Sequence, residues 1–480
     1  MADQSFTHGF PLVAREGQTQ PSVRPGRLAI VDLESLCVYR TERPGNVQCT
    51  TTTEQPTALC SLNELAALGA VVFSQWPDAS AFGSMLDYGL PARLPIRNMN
   101  QMEQHVVHSR EGALAEVSEI LERISASRLF FVVDESAYAA SGAAEILEPH
   151  FRSCAVTRFS GFELNPKLHD IERGIEQIRE AHPDLVVALG GGTAIDLAKL
   201  IGTLADQDVS ARKIILGQAR IGRVGPPLVA IPTTAGTGSE ATHFAVAYVD
   251  GAKYSVADNA LLPDFAIVDP SLTHSLPAGV TAATGLDAFC QAIESMWSVH
   301  STPESIGYAD ESIQLVWRHL AAAVQHPDID DRHAMCRAAH LAGKAINISR
   351  TTAPHAISYT ITSQLGVPHG CAVALTLGAV LDFNCHVTEA DCNDSRGAVY
   401  VRKTIDDIAG LLGFETSLDA ERGIQSFVAS LDCPTQLSEV GVTSDAQIEE
   451  IVQRVNVERL ANNPRRLTNE SLRAILTSIR

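Results

Sequence analysis

The sequence predicts an α/β domain built on a parallel sheet, followed by an all-helical domain, and three observations point to it. Between residues 101 and 278, short runs made almost wholly of apolar residues ("RLFFVVDES", "LVVALGGG", "PLVAIPTT", "FAIVDP") alternate with amphipathic helical stretches. A strand without polar alternation is covered on both faces, as crossover helices cover a parallel sheet. Two of these runs open into small-residue loops, "GGGT" and "TTAGTGSEAT". From 279 to 480 the apolar spacing is helical, as in "PESIGYADESIQLVWRHLAAAV", and no run reads as a strand.

Composition narrows the function classes. A 480-residue chain with 45% hydrophobic and 19% charged residues has the balance of a soluble globular protein of more than one domain. With a net charge of -20 and no dense Lys/Arg run, no nucleic-acid or anionic-membrane partner is expected, and an anionic ligand needs a local cationic pocket. Ten cysteines without a C-x-x-C pair fit reduced thiols in a cytosol better than a disulfide framework or a zinc cluster. No secretory-type N-terminus and no apolar stretch of about 18 residues is present, so the expected location is cytoplasmic. The protein partner admitted is a second copy, as a homodimer.

Residues 1–100 read as an N-terminal extension. A polar tail is expected to be disordered; "RLAIVDL", a Thr-rich loop and the helix-then-strand pattern "LCSLNELAALGAVVFSQW" follow it. The segment suggests a degenerate α/β unit of haloacid-dehalogenase type, with Asp32 at the nucleophile position but Glu34 where a second Asp is expected. A degenerate fragment or a dimerisation element is the reading, not a second active site.

In "LVVALGGGTAIDLAKLIG" an apolar strand runs into Gly190, Gly191 and Gly192, with Thr193 as the expected N-cap and Asp196 and Lys199 on the first turns of a helix. Glycines let the backbone approach a phosphate, and a helix N-terminus offers free N–H groups and the positive end of its dipole. A ligand-free glycine turn is the alternative. The second loop offers the hydroxyls of Thr233, Thr234, Thr237 and Ser239 to the same nucleotide. Lys253 is assigned to both the cofactor-binding and the catalytic sets.

"GLDAFCQAIES" places Asp287 and Gln291 four residues apart on one helix face. Together with "GGGTAIDLAK", "PTTAGTGSEAT" and "HAISYTITSQLGVPHG", in that order, it resembles the iron-containing (group III) alcohol dehydrogenases over roughly residues 101–480. The resemblance implies a dehydroquinate-synthase-like fold: a dinucleotide-binding domain at 101–278, a helical metal and substrate domain at 279–480, and a cleft between them. It implies hydride transfer between NAD(P)H and a carbonyl, assisted by a divalent metal, iron or zinc. By the same resemblance the ligands are Asp287, His355 and His369, with Gln291 at the place of a further His. Tyr359 stands where many members carry a His that assists proton transfer. A Gln amide oxygen is a weaker donor than imidazole, so metal affinity is expected to be lower. If no metal binds, Gln291 and Tyr359 are left to donate hydrogen bonds to the substrate oxygen.

Ahead of the first His, "AGKAINISRTTAPHAIS" brings Arg350, Thr351, Thr352 and Lys344 where the family has small and apolar residues. An Arg beside two Thr hydroxyls matches a tetrahedral oxyanion, although a surface ion pair or a helix cap would use the same Arg. "NISRTTAPHAISY" with "DAFCQAIES" resembles the phosphonoacetaldehyde reductase branch of the family. That implies a small anionic aldehyde, reduced to 2-hydroxyethylphosphonate in phosphonate biosynthesis. A generic alcohol dehydrogenase, a reductase of another acidic carbonyl and an inactive nucleotide-binding protein remain as alternatives. Asp134, at the end of "LFFVVD", is expected to bind the adenosine ribose and so favour NADH over NADPH; a strand-end Asp that caps the next helix reads the same way.

Overall fold

The computed structural model describes residues 105–455 and 460–480, and, within the first hundred residues, the backbone of five short strands. The chain divides into two compact units, Met1–Leu94 and Pro95–Arg480. In the first, β1 (Ala29–Asp32), β2 (Cys37–Arg43), β3 (Asn46–Thr50), β4 (Pro56–Leu59) and β5 (Val71–Phe73) form a sheet in the order β4-β3-β2-β1-β5. Every described pairing in it is antiparallel. The link from Asp32 to Cys37 is far too short for a crossover to a parallel neighbour, which takes a dozen or more residues. The polar tail, Glu34 and the helix expected ahead of β5 lie outside the described residues.

The second unit begins with an α/β part. Its strands are β6 (Val106–Ser109), β7 (Arg128–Val133), β8 (Ala155–Phe159), β9 (Leu185–Gly190), β10 (Leu228–Pro232), the paired β11 (Phe244–Val249) and β12 (Ala252–Ala257), and β13 (Phe265–Val268). Six of them make a parallel sheet in the order β6-β13-β10-β9-β7-β8; β11 and β12 form a separate antiparallel hairpin. The helices between them are α1 (Val117–Ile124), α2 (Glu135–Ala140), α3 (Ala143–Phe151), α4 (Leu168–Ala181), α5 (Gly192–Leu204) and α6 (Ala211–Ile215). Both faces of the sheet are covered. Phe130, Val132, Val186 and Ala188 pack with Ile171 and Ile195 on one side, while Phe131, Val133, Val187 and Leu189 pack with Leu114 and Leu147 on the other. The four apolar runs are β7, β9, β10 and β13. The edge strands β6 and β8 escaped the sequence because an edge strand need not be uniformly apolar, and β8 carries Thr157 and Arg158.

The strand order fixes where a ligand can enter. β7 and β9 are neighbours, but the chain leaves β7 outward to β8 and leaves β9 the opposite way to β10. Such a switch point opens a crevice beyond the C-terminal strand ends, here at Asp134 and Gly190.

After β13 the described residues hold helices and no further strand: α7 (Ala278–Trp297), α8 (Pro303–Gln325), α9 (Ile329–Ser349), α10 (Ala353–Leu365), α11 (His369–Cys385), α12 (Ala398–Leu411), α13 (Ser417–Ser430), α14 (Asp445–Arg454) and α15 (Asn469–Ser478). From Gly285 to Trp297 α7 is buried on every side, which makes it the central helix. The second small-residue loop wedges against the helices: a Cβ on Gly236 would lie 2.6 Å from Thr284 Cβ, and one on Gly238 (φ +60) 2.5 Å from Gly343 Cα. Only glycine permits both approaches. Among the described residues no helix is long and apolar enough to cross a membrane.

Candidate active site

Asp287, Gln291 and Glu294 lie at i, i+4 and i+7 on α7, one polar stripe on a helix that is otherwise packed in apolar surroundings. Two helix starts meet this stripe. α10 presents His355 from its first turn, and α11 begins at His369. The approach of α11 is very close, since a Cβ on Gly370 would fall 1.8 Å from the Ala283 carbonyl oxygen. One ligand atom from each of Asp287, His355 and His369 lies within 4.8 Å of the others.

His355 stands between two carboxylates. Its Nε2 is 3.3 Å from Asp287 Oδ1, and its Nδ1 bonds Glu294 Oε2. Glu294 is wholly buried, and its Oε1 also accepts from the Thr352 amide (2.8 Å), the Thr352 hydroxyl (2.9 Å) and the His355 amide (3.4 Å). A carboxylate at a helix N-terminus satisfies orphan N–H groups and complements the dipole. Burial alone would lower the His355 pKa, but Glu294 and Asp287 raise it to about 10. His369 is pushed the other way, to about 3, by burial and then by the Lys253 cation. Burial opposes ionisation of Asp287, yet the His355 hydrogen bond and the two rings hold its carboxyl below the ordinary value.

The donor set fits a divalent cation. It has two imidazoles, one carboxylate and the Gln291 Oε1, which is buried without a hydrogen-bond partner one turn beyond Asp287. An orphaned buried oxygen beside three potential ligands is a group lacking its partner. The Tyr359 ring stacks near His369 with centroids 6.1 Å apart, and Lys253 Nζ lies 3.8 Å from the Tyr359 ring centroid. Lys253 sits on β12 opposite Tyr248, in the hairpin whose turn is Asp250-Gly251, both at positive φ. "DG" between alternating runs is a sequence signal for such a hairpin, and it went unread.

The two small-residue loops lie together at the strand ends. Thr233 N donates to Gly190 O at 3.0 Å. A Cβ on Gly192 would be 2.8 Å from Thr237 Cγ2, and one on Gly191 3.4 Å from Thr234 Cγ2. Thr233 Oγ1 is buried and has no hydrogen-bond partner among the described residues. This cradle, which side chains would fill, fits the phosphates of a dinucleotide.

Several expected roles change. The N-cap of α5 is Gly191, not Thr193, whose hydroxyl accepts from Asn165 N at 3.2 Å instead. Asp196 also acts as a strut: it accepts from the Ser239 hydroxyl and, at 2.9 Å, from Val246 N. Lys199 is buried and donates to the Thr242 and Phe244 carbonyls at 2.8 and 2.7 Å, anchoring the hairpin to α5. Asp134 does cap α2, its Oδ1 accepting from Ser136 N and Ala137 N at 3.0 and 3.1 Å.

Thr352 is fully buried, and its hydroxyl donates to Glu294 while accepting from Trp297 Nε1 at 2.8 Å. Thr351 is buried and gives its carbonyl to Asn462. Lys344 sets its Nζ 4.0 Å from the Tyr308 ring centroid. Arg350 is exposed at the C-cap of α9 with φ 64 and ψ 164. The sequence reading missed Glu294, although the i+7 spacing from Asp287 carried the signal.

The site and fold define a two-domain dehydrogenase, and comparison with known proteins agrees. The family model for iron-containing alcohol dehydrogenase matches residues 105–270, and that for the Fe-containing alcohol dehydrogenase family, C-terminal, matches residues 281–480. The chain belongs to the iron-containing alcohol dehydrogenase family and is an NAD(P)-dependent alcohol dehydrogenase or aldehyde reductase. It is 37% identical over 310 residues to phosphonoacetaldehyde reductase of Streptomyces viridochromogenes, covering 62% of this chain and 77% of that protein. It is 31% identical over 376 residues to long-chain-alcohol dehydrogenase 1 of Geobacillus thermodenitrificans, covering 77% and 93%. Among solved structures it is similar to sulfoacetaldehyde reductase from Bifidobacterium kashiwanohense in complex with NAD+, with a TM-score of 0.70 at 29% identity, covering 78% of this chain and 96% of that one.

Proposed function

We propose that the protein reduces phosphonoacetaldehyde to 2-hydroxyethylphosphonate with NADH, NADPH being the alternative donor, in a cleft between a dinucleotide-binding part (101–278) and a helical part (279–480). The observation that carries the substrate class is the backbone of Arg350. A residue with a Cβ at φ 64, ψ 164 occupies a region that is essentially reserved for glycine and costs about 1–3 kcal/mol. Such strain persists where the surrounding structure fixes it and clusters at functional sites, and here it falls on a cationic residue five positions before His355. Two of the similar proteins bear names of reductases whose aldehydes carry a tetrahedral oxyanion, a phosphonate and a sulfonate. A planar Arg fork suits either anion.

When bound, the nicotinamide supplies the hydride and a divalent metal on Asp287, Gln291, His355 and His369 supplies Lewis acidity. The chain does the rest. Gly190, Gly191 and Gly192 admit the pyrophosphate, and Thr233, Thr234 and Thr237 offer it hydroxyls. Asp134 Oδ2 accepts from the adenosine ribose. Arg350 holds the anionic end of the substrate, with the Thr351 backbone beside it, and so points the carbonyl into the cleft. Tyr359 passes the proton that the carbonyl oxygen takes up, with the Lys253 cation held against its ring.

The test is loss of NADH absorbance with phosphonoacetaldehyde, sulfoacetaldehyde, acetaldehyde and propanal, with metal analysis of the same sample. Turnover of the phosphonate well above that of the uncharged aldehydes supports the reading. A preference for propanal or the absence of turnover overturns it, and a preference for the sulfonate reassigns the anion.

A further inference from the structure

We propose that Cys371 and Cys433 form a redox-modification site, a dithiol that closes to a disulfide by exchange with a small disulfide such as oxidised glutathione and thereby switches the enzyme off. Their sulfurs are 3.3 Å apart, in direct contact. Seven cysteines among the described residues are free thiols, and this pair joins two elements distant in sequence: the first turn of α11 and the turn that follows α13. The two partners differ in access. Cys371 is buried at 4% exposure, whereas Cys433 is half-buried and so can meet a solute first.

The exchange balances without a further reagent. The Cys433 sulfur, having lost its proton to solvent, attacks one sulfur of oxidised glutathione, whose S–S bond breaks and releases one glutathione thiol. The Cys371 thiol then attacks Cys433 Sγ and expels the second glutathione, whose sulfur takes up the Cys371 proton. Two protein thiols and one small disulfide become one protein disulfide and two small thiols. Two electrons pass from the protein to glutathione.

Bond formation must bring the two sulfurs closer together. A disulfide is about 2.05 Å long, so the sulfurs must approach by roughly 1.2 Å. Cys371 shares a helical turn with His369 and Gly370, and Gly370 already abuts the Ala283 carbonyl and the Asp287 amide so closely that no Cβ would fit. Drawing this turn toward α13 shifts His369 against Asp287. The effect on the metal centre rests on the reading under Proposed function, whereas the cross-link does not.

The experiment equilibrates the full-length, metal-loaded enzyme in glutathione redox buffers. It reads intact mass, peptide mapping after thiol blocking, bound metal and activity. The expected result is a loss of two hydrogens, a cross-link mapped to Cys371–Cys433, and metal release with at least a tenfold fall in activity, all restored by a dithiol reductant. Cys433→Ser and Cys433→Ala should keep both metal and activity in the same oxidising buffer. A stable glutathione adduct without ring closure, a cross-link elsewhere, or a full thiol count at the oxidising limit overturns the site. A Cys371–Cys433 cross-link that leaves metal and activity in place overturns the switch. If the reduced enzyme holds no metal, the reading of Asp287, His355 and His369 fails by itself, and the thiol count still decides this proposal.

Discussion

Glu294 holds His355 from behind. One carboxylate oxygen bonds the imidazole Nδ1, and the other gathers the Thr352 amide, the Thr352 hydroxyl and the His355 amide. An Nδ1–H bonded to Glu294 leaves Nε2 as the ligating nitrogen on the side of Asp287. Glu294→Gln cannot reproduce this, because an amide has one accepting oxygen and must turn its NH2 toward a donor. The variant should hold metal about 10–100-fold more weakly and lose about 1–3 kcal/mol of stability. Metal titration and thermal unfolding of the same samples check both effects. Unchanged metal affinity would leave Glu294 as a helix cap alone.

Gln291 offers a buried oxygen with no hydrogen-bond partner among the described residues. If that oxygen is a weak fourth ligand, Gln291→His should slow metal loss during dialysis, since imidazole is the stronger donor for first-row divalent metals. Metal content over time is the measurement, independent of turnover. Equal loss rates for parent and variant would remove Gln291 from the coordination sphere. If neither protein takes up metal and chelators leave turnover unchanged, hydrogen bonding to the carbonyl replaces metal assistance.

What the sequence disclosed follows from how local each cause is. β7, β9, β10 and β13 are buried on both faces, so their apolar runs announce them; the edge strands β6 and β8 have no such constraint. Asp287 and Gln291 were visible as a pair because helical geometry alone puts them on one face. The hydrogen bonds of Thr352 were not legible because its environment is nonlocal. Only packing brings Glu294 and Trp297 to it, 58 and 55 residues away in the chain. Thr193 was misread as a cap because Gly191, two residues before it, takes that place, leaving the threonine hydroxyl to a loop 28 residues upstream. The thiol pair joins residues 62 apart and has no sequence signature at all.

Mutation can separate the cap that Asp134 makes from the ribose contact proposed for it. Oδ1 caps α2, and on the proposed reading Oδ2 accepts from a ribose hydroxyl and repels a 2'-phosphate. Asp134→Asn keeps a capping oxygen but removes the charge, so the NADPH/NADH activity ratio should rise at least about tenfold, or 1.4 kcal/mol, with little change in Tm. Asp134→Gly should shift the ratio similarly, at a stability cost of only a few tenths of a kcal/mol. Kinetics with both cofactors and a melting curve suffice. A constant ratio in both variants restricts Asp134 to capping.

Arg350 should trade stability for substrate binding. At φ 64, ψ 164 its Cβ is strained, and glycine relieves that strain while adding about 0.5–1 kcal/mol of unfolded-state entropy. Arg350→Gly should therefore gain about 0.5–2 kcal/mol, whereas Arg350→Ala keeps a Cβ and should gain nothing. Both variants lose the guanidinium. Charge-assisted hydrogen bonds to a phosphonate are worth about 1.5–3 kcal/mol, so kcat/KM for phosphonoacetaldehyde should fall roughly 10- to 200-fold in each. Turnover of an uncharged aldehyde of similar size should hardly change, and Arg350→Lys should recover only part of the loss, because an ammonium cannot form the planar fork. Denaturant unfolding and a two-substrate kinetic comparison decide the matter. An equal loss on charged and uncharged aldehydes would mean that Arg350 supports the His355 helix and not the substrate, and the phosphonate assignment would then rest on similarity alone.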